Sequence, residues 1–125
     1  MKFILFIFVI YMGIPSLCLA EDCGDSLNQE FLVSCFKSTL ATQDTLLNNS
    51  YKLLKNKLSI KNKILLKNSQ LAWLNHRESD CDLEASSLEG PEAYQAMYLS
   101  CMIESTKLRT KRMDYLFKQF RAKPA

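Results

Sequence analysis

Three stretches of the chain repeat apolar residues at three- and four-residue steps, and no stretch alternates as a strand would. The first runs from about Ser26 to Leu58, with Leu27, Phe31, Cys35, Leu40, Leu47, Tyr51, Leu54 and Leu58 recurring along it. Ser26, with Gln29 three residues later, reads as a capping box that opens this helix. Ser38 to Thr42 offers hydroxyls that compete for backbone hydrogen bonds, so a break or bend is expected there. The second stretch runs from about Lys61 to Asp80, with Leu66, Gln70, Trp73, Leu74, Arg77 and Cys81 along one side. The acidic run Asp82 to Glu89 then reads as a loop, with room for a helical turn from Leu83 to Leu88. Gly90-Pro91 marks the next start, because proline suits a first helical turn. The third helix continues to about Phe120 on Tyr94, Met97, Cys101, Leu108, Leu116 and Phe120. The pattern predicts an all-α antiparallel three-helix bundle. Its first connection is tight, near Ser59-Ile60, and its second is the acidic loop.

The N-terminus follows a different rule. Lys2 precedes an unbroken apolar run from Phe3 to Met12, Gly13 and Pro15 interrupt it, and Cys18-Leu19-Ala20 ends in small residues. This is the layout of a secretory signal peptide over residues 1–20, cut after Ala20, leaving a domain over 21–125. The run is shorter than the roughly 20 residues a spanning helix requires. Cleavage removes Cys18 and leaves Cys23, Cys35, Cys81 and Cys101. An even number of cysteines in an exported chain reads as a disulfide framework. Of three pairings, Cys23–Cys35 and Cys81–Cys101 are favoured because each closes a short local segment. A loop of that size is worth roughly 3 kcal/mol on the chain-entropy model.

Charge is segregated, although the net value is only +3, or +2 once Lys2 is removed. Lys37 to Lys67 holds seven lysines and one acid, Asp44. Glu78 to Glu92 holds six acids and no base, and Lys107 to Lys123 holds seven bases and one acid, Asp114. Such runs are ordinarily solvated faces. The acidic run also suits a cationic partner. Export argues against nucleic acid as the partner of the lysines, and few aromatics interleave them. Membrane association is not expected once the signal is removed.

Three helix faces bring polar residues beside apolar ones: Asp44, Leu47, Asn48 and Tyr51; Gln70, Trp73, Leu74, Arg77 and Cys81; and Cys101, Thr106, Arg109 and Met113. A polar group in such a position must be paired or exposed. Asp44 or Asn48 is therefore expected to bond Arg77 or Gln70 across the first two helices, and Trp73 to be largely buried. These are structural roles. No nucleophile has a base in reach, the one histidine, His76, flanks the tryptophan turn, and no ligand spacing suits zinc, so no enzyme, cofactor or metal is expected.

Taken together, Asp44-x-x-Leu47-Asn48-x-x-Tyr51, Gln70-x-x-Trp73-Leu74-x-x-Arg77, Cys81, and Cys101 with Thr106-x-x-Arg109 resemble the LprI-type lysozyme inhibitor family of bacterial envelope proteins. The resemblance spans about Cys23 to Leu116 and departs at Glu78, where the family usually has Asp, and at Gly90-Pro91, where it tends to have a glycine pair. It implies a periplasmic or secreted helical domain that binds lysozyme and protects peptidoglycan. The family pattern supplies no inhibitory motif; the acidic run itself makes Asp80, Asp82, Glu84 and Glu89 the expected partner-binding residues. The alternative is an envelope structural or immunity protein with a different protein target.

Overall fold

The computed structural model describes residues 23–24 and 27–122. The signal-peptide segment, Ser26 and the tail after Ala122 lie outside the described residues. Three helices follow one another: α1 (Gln29–Lys57), α2 (Ile60–Ala85) and α3 (Pro91–Ala122). Among the described residues there is no strand. The helices run up, down and up, so α1 and α3 are parallel and α2 is antiparallel to both. Gln29, Leu32 and Phe36 of α1 meet Ala93, Ala96 and Met97 of α3 at one end. Leu54 and Leu58 meet Leu66 of α2 and Leu116 of α3 at the other. The principal packing is α1 on α3, with α2 laid mainly against α3.

Local chemistry sets the boundaries. Asn28, not Ser26, caps α1: its Oδ1 accepts the Phe31 N–H at 3.1 Å. The observed cap thus lies two residues after the expected one. No break interrupts α1, and within it Thr42 and Thr45 donate to the carbonyls of Ser38 and Ala41 at 3.2 and 2.9 Å. Lys55 and Lys57 in the last turn complement the helix dipole. Leu58 and Ser59 are both extended, and Ser59 Oγ accepts the Asn62 N–H at 3.4 Å to open α2.

The acidic segment departs most from expectation. Helix α2 continues through Asp82 to Ala85, and the connection is only Ser86–Gly90. Arg77, Cys81 and Ala85 recur at four-residue steps and are all buried, so packing carries the helix past the acids. Ser86 and Ser87 hydroxyls then donate to the carbonyls of Leu83 and Glu84, at 2.7 and 3.0 Å, and close it. Gly90 turns the chain at φ +90°, a backbone region that side chains rarely adopt, and Pro91 opens α3.

The two disulfides are Cys23–Cys35 and Cys81–Cys101, as local closure predicts. The first ties the segment before α1 onto it, and the second clamps α2 to α3. The interior has two apolar ends. One gathers Leu47, Leu54, Leu58, Leu66 and Met113, with Tyr51, Trp73, Leu116 and Phe117 against them. The other holds Val33, Cys81, Ala85, Leu99, Met102 and Ile103. Between them runs a polar belt of Thr39, Gln43, Arg77 and Thr106, all buried.

Candidate functional site

The polar belt brings together most of the motif residues. Arg77 projects from α2 toward both neighbours. Its Nη1 donates to Asp44 Oδ1 of α1 at 2.9 Å and to Thr106 Oγ1 of α3 at 2.8 Å. The Thr106 hydroxyl in turn donates a hydrogen bond to the Met102 carbonyl at 2.7 Å. One guanidinium therefore joins all three helices. Its Nε is buried without a partner. The Arg77 guanidinium also lies over the Trp73 ring, 4.8 Å from the centroid, and Arg109 of α3 lies over the same ring at 5.5 Å. Arg109 donates to Gln70 Oε1 at 3.0 Å and to Ser69 Oγ at 2.9 Å. Burial, then the neighbouring Arg112, lower the Arg109 pKa.

Of the expected cross-helix bonds, the one between Asp44 and Arg77 forms. Gln70 is taken by Arg109 instead, and Asn48 is exposed. Tyr51 packs half-buried against the apolar cluster. Trp73 is half-buried rather than largely buried: it packs against the apolar cluster, and the guanidinium groups of Arg77 and Arg109 lie over its ring. Ser69 and the acceptor role of Thr106 were not foreseen. Both are small hydroxyl residues whose pairing depends on interhelical register.

The acidic residues gather at one end of the molecule. Asp80 and Glu84 stand one turn apart on one flank of the buried Arg77–Cys81–Ala85 line. Glu78 and Asp82 stand one turn apart on the other. All four are exposed, and Glu89 is exposed in the connection. Tyr94 of α3 donates its hydroxyl to Asp82 Oδ1 and stacks on Tyr98, ring centroids 6.2 Å apart. Both phenols are raised above the ordinary tyrosine pKa: Tyr94 chiefly by the Asp82 hydrogen bond, Tyr98 by burial and then by Glu78. The four-residue spacing of Tyr94 and Tyr98 was the one sequence signal that could have placed them here.

The opposite end is basic, carrying Lys52, Lys55 and Lys57 of α1, Lys61 and Lys67 of α2, and Lys118 and Arg121 of α3. The charges on α2 oppose its own dipole. Lys61 and Lys63 occupy the first turn, which has no acid; Asp82 and Glu84 occupy the last, which has no base. Each such placement costs about 0.3–1 kcal/mol at low ionic strength. Helix stability does not account for this arrangement.

Nothing in the belt or the acidic end assembles a nucleophile with a base. Among the described residues no three His, Cys, Asp or Glu side chains gather to hold a metal. None of the described helices is long and apolar enough to cross a membrane. The family described as Lysozyme inhibitor LprI matches residues 22–113. No curated protein and no solved structure matches the chain.

Proposed function

Because the chain belongs to the LprI lysozyme inhibitor family, we propose that it is an exported protein-binding domain that inhibits a lysozyme-like muramidase through its acidic end. Residues 1–20 serve as its signal peptide, and two disulfides suit the oxidising compartment beyond the membrane. The family is one of inhibitors, and the chemistry required is recognition rather than turnover.

The observation that carries the reading is the acidic half-helix. Asp80, Asp82 and Glu84 ride on the last turns of α2, which Cys81–Cys101 holds to α3, and Glu89 follows in a five-residue connection. Little ordering entropy remains to be lost on binding. The net positive charge does not cancel this end. Lys61 and Glu84 are 23 residues apart on one helix, roughly 35 Å at the helical rise. Charges at that separation are screened from each other, since the Debye length at physiological salt is about 8 Å. A cationic lysozyme approaching the acidic end meets that end alone.

The test is a lysozyme activity assay with the chain from Glu21 onward. Inhibition is expected. The pair Asp80→Lys and Glu84→Lys should slow association about tenfold at low salt, and less at high salt. Lys55→Glu with Lys57→Glu should have far less effect. An inactive wild-type domain refutes the reading. Damage confined to the lysine reversals moves the interface to the basic end.

A further inference from the structure

The N-terminal half of α2 carries a feature that lysozyme binding leaves unused. Ile60, Ile64 and Leu71 follow at four- and seven-residue steps and form one line along the outer side of the helix. They are 81%, 57% and 52% exposed. By helical position, Lys63 and Lys67 border this line on one side and Lys61 on the other, and Lys57 stands at the corner where α1 ends. From Ile60 to Arg77 there is no acidic residue. The asymmetry extends along all three helices: among the described residues, nine of the thirteen exposed large apolar side chains lie in the basic half.

We propose that this face of α2 docks on the surface of an anionic phospholipid bilayer. An apolar line three turns long, bordered by lysines, is the layout of a helix that lies in the plane of a membrane interface. Lysine stems reach along the apolar surface while their ammonium groups meet lipid phosphates. Ile60, Ile64 and Leu71 do not line the cavity that Leu54, Leu58, Leu66 and Leu116 form at this end. A second copy of the same face would set lysine against lysine. Charge complementarity therefore favours an anionic sheet over self-pairing. Contact is at the surface, since no described helix can span. The proposal departs from the expectation of no membrane association, because winding α2 as a helix gathers Ile60, Ile64 and Leu71 on one side. It is independent of the lysozyme reading, and contact is confined to the Ile60–Leu71 half of the helix, because Glu78 and Asp82 continue the same side beyond it and repel a like-charged bilayer.

The experiment is sedimentation of the chain from Glu21 with vesicles. Every helix, both disulfides and all core residues described above lie within that span. Binding is expected to vesicles of phosphatidylglycerol and phosphatidylcholine in equal parts, with release at high salt and none to phosphatidylcholine alone. Ile60→Asp should weaken it about tenfold or more. This variant keeps its fold, because Ile60 is exposed and an acid in the first turn of α2 favours the helix. It should also leave lysozyme inhibition unchanged, so failure here is separable from failure of the inhibitor reading. Lys61→Glu with Lys67→Glu should act likewise, and Leu83→Asp, an exposed leucine at the acidic end, should not. Equal binding to neutral vesicles, no binding to anionic ones, or Ile60→Asp binding as wild type overturns the proposal. So does self-association without vesicles that Ile60→Asp abolishes, which would give the face to a second copy.

Discussion

Removing the exposed partner of the Arg77–Asp44 pair should damage the protein more than removing the buried one. Arg77 is 7% exposed, whereas the Asp44 side chain is 42% exposed. Asp44→Ala leaves a buried guanidinium with Thr106 as its one side-chain acceptor. Stripping one partner from a buried pair costs about 3–5 kcal/mol; water reaches this carboxylate, so about 2–3 kcal/mol is expected. Arg77→Met does the reverse. Asp44 hydrates at the surface, Thr106 keeps its bond to the Met102 carbonyl, and the unpartnered Nε disappears. The methionine occupies much of the space of the arginine stem, so the loss should be about 1 kcal/mol. The double variant should recover part of the Asp44→Ala loss. Urea unfolding of the oxidised protein, followed by helical circular dichroism, measures all three. Finding Arg77→Met as damaging as Asp44→Ala would refute the reasoning, because the guanidinium would then be a net source of stability rather than a charge in need of a partner.

Three other outcomes follow from the same geometry. Trp73→Ala should cost about 2–3 kcal/mol, below the usual range for a fully buried aromatic; a melting temperature within a couple of degrees of wild type would show the ring idle. Glu84→Lys should raise stability by about 0.5 kcal/mol, since it sets a cation in the last turn of α2, while weakening lysozyme inhibition; equal losses in both would point to a fold defect instead. Tyr94 and Tyr98 should ionise above the ordinary tyrosine value in a spectrophotometric titration, with Asp82→Asn bringing Tyr94 down most. Folding holds these phenolic protons more tightly than the unfolded chain does. Their contribution is therefore complete below the unfolded value of about 10 and is lost as pH rises through the higher folded values. A Tyr94 titration unmoved by Asp82→Asn would remove the hydrogen bond from the account.

The sequence exposed the parts of this fold that depend on spacing along one helix. Apolar periodicity located the three helices, local closure gave both disulfides, and the polar residues on core-facing sides pointed to Asp44–Arg77. What escaped depends on contacts between helices. Asp82 to Ala85 reads as loop because acids at a helix C-terminus are unfavourable, and only the burial of Ala85 against its neighbours overrides that. The Ser38–Thr42 break fails because Thr39, Gln43 and Leu47 at four-residue steps are all buried, so packing carries the helix through the hydroxyl residues. Gln70 chooses Arg109 over α1 because α2 packs mainly on α3. The apolar line on α2 was hidden by the lysines interleaved with it, which become its margins only when wound on a helix.

The order of packing bears on how the chain reaches its shape. Helix α1 has little contact with α2, the segment made directly after it, and finds its main partner in α3. For a chain that emerges N-terminus first, Val33, Leu47 and Leu54 stay wet until the last thirty or so residues arrive. The pairing of α2 with α3 is local and can be locked by Cys81–Cys101 in the meantime. Assembly of α1 then closes the longest loop in the protein last. That leaves α1 the segment most in need of protection from aggregation before folding is complete.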